Sequence, residues 1–263
     1  MKFIVLSENR KKDVCECEEG FSLYVEIESH KLLFDAGITD LFIKNSKLLD
    51  VNLDGVEKVV LSHGHWDHGN GLKYLDGRKT LILHPECFTD RYSISRNMEY
   101  GGINQNFDEL SAKFNMVLTK EPYEILESVW FLGEIERKND FEAKAFPTVL
   151  AGNETDFLRD DSGIVIKTTN GLIVISGCSH SGICNTIEYA KKVTNEDKIC
   201  AVIGGFHLKE IDNATKETIK YFMANNIPQA YMGHCTSDEV IEEFRKQLSG
   251  KCEVHAMYAG ASF

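Results

Sequence analysis

Four side chains able to bind a transition metal stand close together in Ser62-His63-Gly64-His65-Trp66-Asp67-His68: His63, His65, Asp67 and His68. They follow the apolar run Val59-Val60-Leu61, which reads as the end of a buried strand. In an extended or looped backbone, residues two apart project to the same side, so His63 and His65 can converge on one ion. Asp67 and His68, opening the next turn, can then face a neighbouring ion. Imidazole nitrogen together with carboxylate oxygen suits Zn(II) first, with Mn(II) or Fe(II) as alternatives. Gly64 and Gly69 permit close approach of the backbone without a Cβ clash. The competing reading is a polar loop that happens to be rich in histidine. That reading places three of the chain's 9 histidines at ligand spacing behind an apolar strand by accident.

The second half repeats one placement three times. His180 lies just beyond the strand expected at Leu172–Ser176, His207 beyond Ile199–Ile203, and His234 beyond Gln229–Met232. Ligand sites in α/β sheets lie at the carboxyl ends of strands, so these three histidines should gather on one edge. A lone histidine in such a place is ordinarily a capping or core residue; His84, before Pro85, and His255, within the last strand, are read that way. His30 is read as a polar turn residue. Arg137 could hold a phosphate or carboxylate through both of its outer nitrogens, with a surface salt bridge as the alternative. Asp160 and Asp161, before the strand at Ile164–Thr168, read as loop anchors.

The elements that position these residues follow from periodicity and turn chemistry. Short strands are expected at Lys2–Leu6, Phe21–Ile27 and Lys31–Phe34, then a helix over Ile38–Leu49. A buried strand at Val56–Leu61 comes next, followed by a short helix at Gly71–Leu75 and a strand at Thr80–Leu83. Residues 85–144 are less regular, with a Gly101-Gly102 break, a helical piece near Phe107–Phe114 and strand-like runs at Met116–Leu118 and Val129–Leu132. They read as a lid-like insertion in a single domain spanning 1–263. Beyond Gly163 strands and helices alternate, opening with a hairpin across Asn170-Gly171. Helices are expected at Ile187–Val193, Thr215–Asn225 and Glu239–Leu248, and a last strand at Val254–Tyr258. Such alternation calls for sheets covered by helices.

Composition narrows the class. The 263 residues carry 41 Asp and Glu against 29 Lys and Arg, a formal net charge of -12. An acidic chain with no dense basic block repels phosphate backbones and anionic lipid, so neither a nucleic-acid nor a membrane partner is expected, and a small-molecule substrate is. No apolar run approaches the length of a membrane span or signal peptide. The 8 cysteines are scattered without a paired framework, which fits reduced thiols in the cytoplasm; Cys15 and Cys17 read as a coincidental C-x-C in a loop.

The pattern H-x-H-x-D-H behind an apolar strand resembles the signature of the metallo-β-lactamase superfamily, and Phe34-Asp35-Ala36-Gly37 resembles that family's D-x-G turn. The similarity extends nearly end to end toward the dihydropterin-ribofuranosyl-aminobenzene phosphate synthase-like proteins. It is carried by Glu19-Gly20-Phe21-Ser22-Leu23, Gly133-Glu134-Ile135-Glu136-Arg137, Ser176-Gly177-Cys178-Ser179-His180-Ser181-Gly182-Ile183, Gly204-Gly205-Phe206-His207-Leu208 and His234-Cys235-Thr236. The resemblance implies an α/β fold, the four-layer αββα sandwich with an inserted lid region, and a pterin- or phosphate-bearing metabolite as substrate. It also implies that Asp35 braces the metal loop by hydrogen bonds.

Most members of that superfamily carry a histidine before the second-half hairpin and a bridging aspartate after the next strand. Here 156–162 contains no histidine, and Cys178 stands where the aspartate is expected. The expected ligand set is therefore His63, His65 and His180 on one ion and Asp67, His68 and His234 on another, sharing a hydroxide. Cys178 lies within reach, as a small buried residue or a thiolate. The expected chemistry is metal-assisted hydrolysis, with Asp67 or a nearby histidine moving protons and His207 contacting substrate or leaving group. An iron-dependent redox enzyme on the same fold and a non-catalytic metal-containing sensor or binding protein are the rival classes, and condensation is the rival reaction.

Overall fold

The computed structural model describes residues 1–12, 14–144 and 146–263. The chain divides into two compact units. One comprises Met1–Lys120, Phe146–Asp160 and Tyr258–Phe263; the other comprises Glu121–Ala145 and Asp161–Met257. Both combine strands and helices, the α/β class expected from the alternation. Among the described residues no helix is long and apolar enough to cross a membrane.

The first unit is built on a six-stranded sheet. Its spatial order is Lys2–Ser7, Ser22–Ile27, His30–Phe34, Lys58–Val60, Thr80–Leu83 and Asn115–Leu118. The first three strands pair antiparallel, and the last three run parallel to His30–Phe34. Leu32, Leu33, Phe34, Val59, Val60, Leu81 and Ile82 are all buried, which is why these strands read as continuous apolar runs rather than alternating ones. Ile27 pairs with His30, so the hairpin turn is Glu28-Ser29, with Glu28 at φ 54. His30, expected in the turn, is instead the exposed first residue of the returning strand. A smaller sheet joins Thr148–Leu150, Arg91–Ser93 and Glu99–Tyr100.

The second unit is built on a seven-stranded sheet in the order Glu253–Ala256, Gln229–Met232, Ile199–Gly204, Gly171–Ser176, Gly163–Thr168, Val129–Phe131 and Tyr123–Leu126. The first four of these run parallel, and the remaining pairs are antiparallel. Thr168 pairs with Gly171, so the tight turn is Thr169-Asn170 and Gly171, at φ 124, already belongs to the strand. Only glycine fits there, because a Cβ would meet the Lys198 carbonyl oxygen at 2.6 Å. The 85–144 stretch supplies Asn115–Leu118 to the first sheet and Tyr123–Leu126 and Val129–Phe131 to the second.

Helix Ile183–Thr194 buries Ile183, Ile187, Ala190 and Thr194, the spacing of one helical face. Its first N–H groups are satisfied from outside the helix: Cys184 N–H and Asn185 N–H donate to the buried Glu142 carboxylate at 2.9 and 3.1 Å. Helix Asn213–Ala224 is capped by Asp212, which accepts from Thr215 N–H at 3.0 Å. Helix Asp238–Gln247 is capped by Ser237, with Asp238 and Glu239 in its first turn and Arg245 and Lys246 in its last. That charge order suits the helix dipole.

A buried ion pair holds the first unit's loops together. Arg91 is 1% exposed, and its guanidinium donates twice to Asp160, at 3.1 Å each, and lies 3.3 Å from Asp156. Burial alone would raise the Asp160 pKa, but Arg91 and the Gly64 N–H overcome it and hold the carboxyl below its ordinary 3.8. Replacing Arg91 with methionine leaves these carboxylates buried without their cation. Arg91→Met should lower the unfolding free energy, read by urea denaturation at neutral pH, by about 3–5 kcal/mol. Because the folded pKa of Asp160 is depressed, the pair's contribution is complete above the unfolded value. It is lost as pH falls through the lower folded value, so the gap between the two proteins should narrow in acid.

Candidate functional site

Each unit carries its own cluster of chemically capable side chains. In the first, strand Lys58–Val60 is held between Phe34 and Ile82 in parallel register, which fixes where the chain leaves the sheet. Leu61 N–H continues the ladder to Ile82, and the backbone then turns through Ser62, His63 and Gly64. Gly64 is required by space: a Cβ there would lie 2.1 Å from the Cys87 carbonyl oxygen. At Gly69 it would lie 2.4 Å from the Ile103 side chain. Gly64 N–H donates to Asp160 at 2.7 Å, so the buried ion pair anchors the metal-capable loop directly. A short helix, Trp66–Gly69, then presents Asp67 and His68, with His68 N–H and Gly69 N–H returning to the His65 carbonyl.

The protons of this cluster can be traced through its hydrogen bonds. Asp35, fully buried and at φ 60, accepts from Ser62 N–H and from the Ser62 hydroxyl, both at 2.7 Å. With its proton given to Asp35, the Ser62 hydroxyl must accept from His63 Nδ1 at 2.8 Å, which leaves the lone pair of His63 on Nε2. His68 Nδ1 donates to Asp35 at 2.7 Å, leaving its lone pair on Nε2, 3.8 Å from an Asp67 carboxylate oxygen. The Thr148 hydroxyl donates to Asp156 at 2.8 Å and so accepts from His65 Nε2 at 3.4 Å, which puts the His65 lone pair on Nδ1. Burial first, and then repulsion by Arg91, lower the His65 pKa to about 3 despite Asp67 and Asp160, so the ring is neutral at physiological pH.

His63 Nε2 and His65 Nδ1 therefore face each other at 2.9 Å as two lone pairs. Two acceptors at that distance repel unless a cation lies against both. The His63 ring also lies 4.2 Å, centroid to centroid, from that of His68. This donor set fits a transition ion: three imidazoles, each oriented by a hydrogen-bond partner, and a carboxylate beside them.

In the second unit, strands Gly171–Ser176 and Gln229–Met232 end where expected, Ile199–Gly204 runs one residue further, and the last strand, Glu253–Ala256, stops two residues short of the expected Tyr258. The loops after the first three each hold a residue in the left-handed region. Ser179, His207 and His234 have φ of 58, 49 and 53. The loops are cross-tied. The Ser179 hydroxyl donates to the Gly205 carbonyl at 2.7 Å, Phe206 N–H donates to the Thr236 hydroxyl at 2.9 Å, and the Cys235 thiol accepts from His207 N–H at 3.2 Å. Gly205 has no room for a side chain, since a Cβ would lie 2.6 Å from both the Cys235 sulfur and the Gly177 carbonyl oxygen. The His180 and His207 rings lie 4.5 Å apart, and ligand atoms of Cys178, His234 and Cys235 lie within 4.8 Å of one another. Cys178 is buried.

Arg137 is engaged within its unit: its guanidinium donates to the Ser181 hydroxyl at 3.3 Å, and its charge bears on buried Asp161. Asp161 accepts from Ser181 N–H at 2.8 Å, and burial raises its pKa to about 6. The anchoring roles read for Asp160 and Asp161 match these contacts. His84 is buried and accepts from Glu86 N–H, as a capping residue does. His255 stacks on Tyr231 at 4.8 Å, within the last strand as expected. Ser62, Thr148, Asp156, Arg91 and Cys235 were not singled out beforehand. Ser62 and Cys235 adjoin named histidines, whereas nothing in the local sequence marks Thr148.

Asp35→Ala removes the acceptor that selects the His68 tautomer while leaving the ring in place. Metal affinity, measured by competition with a chromogenic chelator, should fall by about 10–100-fold. Unchanged affinity would show that His68 does not bind through Nε2.

A model of the metallo-beta-lactamase superfamily matches residues 16–86, the segment holding Asp35 and the histidine cluster. The chain is 35% identical over 228 residues to an uncharacterized protein of Methanocaldococcus jannaschii, covering 83% of this chain and 84% of the other. It is 30% identical over 263 residues to the 7,8-dihydropterin-6-methyl-4-(beta-D-ribofuranosyl)-aminobenzene-5'-phosphate synthase of the same organism, covering 89% of each. Among solved structures it is similar to that of Tm1679, a metal-dependent hydrolase of the beta-lactamase superfamily. The identity is 30% and the TM-score 0.87, covering 100% of this chain and 98% of that one. The matched segment, the relatives and the shared fold together show that the chain belongs to the metallo-β-lactamase superfamily.

Proposed function

We propose that the protein is a metal-dependent hydrolase acting on a small phosphate- or pterin-bearing metabolite. The observation that carries this reading is the approach of His63 Nε2 and His65 Nδ1 to 2.9 Å, with Asp67 and His68 beside them, a donor set suited to a cation. The proposed ligands are His63, His65 and His180 for one divalent ion and Asp67, His68 and His234 for a second, zinc first, with manganese or iron as alternatives. Six donors exceed the four that one tetrahedral ion takes, which supports two ions. When bound, such ions supply Lewis acidity and bring the pKa of a water toward neutrality.

The chain's own residues do the rest. Asp35 and Ser62 hold the imidazoles in the tautomers that donate, so no proton has to leave those rings when an ion arrives. Asp67, part-exposed next to His68, is the group proposed to carry a proton to or from the reacting water. His207, in the left-handed region beside His180, is proposed to contact the substrate or its leaving group. Arg137 is proposed to meet an anionic part of the substrate only if it releases Ser181. The negative net charge and the absence of a basic block support a small-molecule substrate in the cytoplasm over a nucleic acid. The name of the synthase relative supports a second reading, in which the same ions promote condensation.

Elemental analysis of protein purified without added metal or chelator should give about two ions per chain. His180→Ala should give about one and abolish hydrolysis of bis(p-nitrophenyl) phosphate, whereas Cys178→Ser should retain both ions. A stoichiometry that stays near one in the parent protein after reconstitution contradicts the two-ion assignment. Loss of an ion in the serine variant would show that Cys178 is a ligand. Asp67→Asn keeps the side-chain volume but removes the charge, and should fold normally while losing most of its activity.

A further inference from the structure

The second unit contains a cavity of about 330 Å³, the size of a small-molecule pocket, with His180 and His207 in its lining. Phe206 and Leu208 give it apolar wall. Its charged groups fall into two sets. Glu142 and Asp212 are committed, the first accepting from Cys184 N–H and Asn185 N–H and the second from Thr215 N–H. Each is offset in part by the helix start it caps. Lys144, Lys209 and Asp140 also line the cavity, and none of the three has an ion pair or side-chain hydrogen bond among the described residues. Two ammonium groups against one carboxylate leave these uncommitted side chains at net +1, in a chain whose overall charge is -12.

Both lysines are exposed at the cavity and reach it on flexible stems. A lysine ammonium offers a compact charge with three donors, which suits a tetrahedral oxyanion approached from several directions. Two such groups with no internal partner match a dianion better than a singly charged carboxylate. Local cations raise the concentration of an anionic ligand at a cavity even when the molecule as a whole repels it.

We propose that this cavity binds the terminal phosphate of a phosphate monoester, with Lys144 and Lys209 on the phosphate oxygens and the organic part against Phe206 and Leu208. The proposal deepens the hydrolase reading by naming the substrate's charged end, and it rests on that reading only for the identity of the reaction.

The test is calorimetric titration of the purified full-length protein with inorganic phosphate. The double variant Lys144→Gln/Lys209→Gln, changed at two exposed positions, should bind phosphate at least about tenfold more weakly. Lys251→Gln, on an exposed lysine outside this cavity, controls for net charge and should bind as the parent does. Asp140→Asn removes the one carboxylate that caps no helix and should tighten binding. Absence of phosphate binding in the parent overturns the proposal, as does equal affinity in the double variant, which would place phosphate on the metal-capable residues alone. Turnover of p-nitrophenyl phosphate, itself a monoester, separates the two readings. Lysine-dependent phosphate binding without hydrolysis leaves the subsite standing and removes the hydrolase. Hydrolysis without lysine dependence does the reverse.

Discussion

One buried carboxylate fixes the chemistry of the first unit. Asp35 has no exposure to water and accepts three hydrogen bonds, two from Ser62 and one from His68 Nδ1. An anion in that position is tolerable only because every donor near it is aimed at it. The consequence passes outward. With its proton committed to Asp35, the Ser62 hydroxyl turns His63, and Asp35 itself turns His68, so two imidazoles offer Nε2 before any ion arrives. A second buried anion, Asp160, does for the backbone what Asp35 does for the rings, holding Gly64 N–H while Arg91 balances its charge. The ligand loop is thus suspended between two carboxylates, neither of them among the proposed ligands.

Backbone conformation in the left-handed region recurs at this chemistry. Asp35, Ser179, His207 and His234 all have φ between 49 and 60 without being glycine. Such residues cost on the order of 1 kcal/mol each and persist where surrounding contacts over-determine them. The contacts are visible in both units: Asp35 is pinned by Ser62 and His68, Ser179 by Ser176 and Gly205, and His207 through its N–H on the Cys235 sulfur. Parallel strands in register bring the second unit's loops to one edge of its sheet. The short ties between them convert a general property of α/β sheets into a specific arrangement of histidines.

Much of this was legible in the sequence, because its signals are local. The apolar run ending in His-x-His-x-Asp-His, the hairpin near Asn170 and the strand–helix rhythm after Gly163 each depend on residues adjacent in the chain. Thr80–Leu83 and Gln229–Met232 were even bounded correctly. What escaped depends on partners distant in sequence. Thr148 selects the His65 tautomer from 83 positions away, and Arg91 meets Asp160 across 69. The small strands Arg91–Ser93, Glu99–Tyr100 and Thr148–Leu150 are too short for a periodic pattern. Helix Ile183–Thr194 begins four residues earlier than its apolar spacing suggested, because its start is secured by Glu142, about 40 residues upstream, rather than by a local cap. The hairpin residue His30 was misplaced by one position, since only pairing with Ile27 settles where the turn stops.

In the proposed site, imidazoles oriented before metal arrives are the principal ligands. X-ray absorption at the zinc edge of the reconstituted protein tests this most directly. Zinc held there should show a first shell of nitrogen and oxygen at about 2.0–2.1 Å, with the outer-shell scattering pattern of several imidazole rings. A first shell dominated by sulfur at about 2.3 Å would contradict this assignment, placing the ion on Cys178 and Cys235 instead.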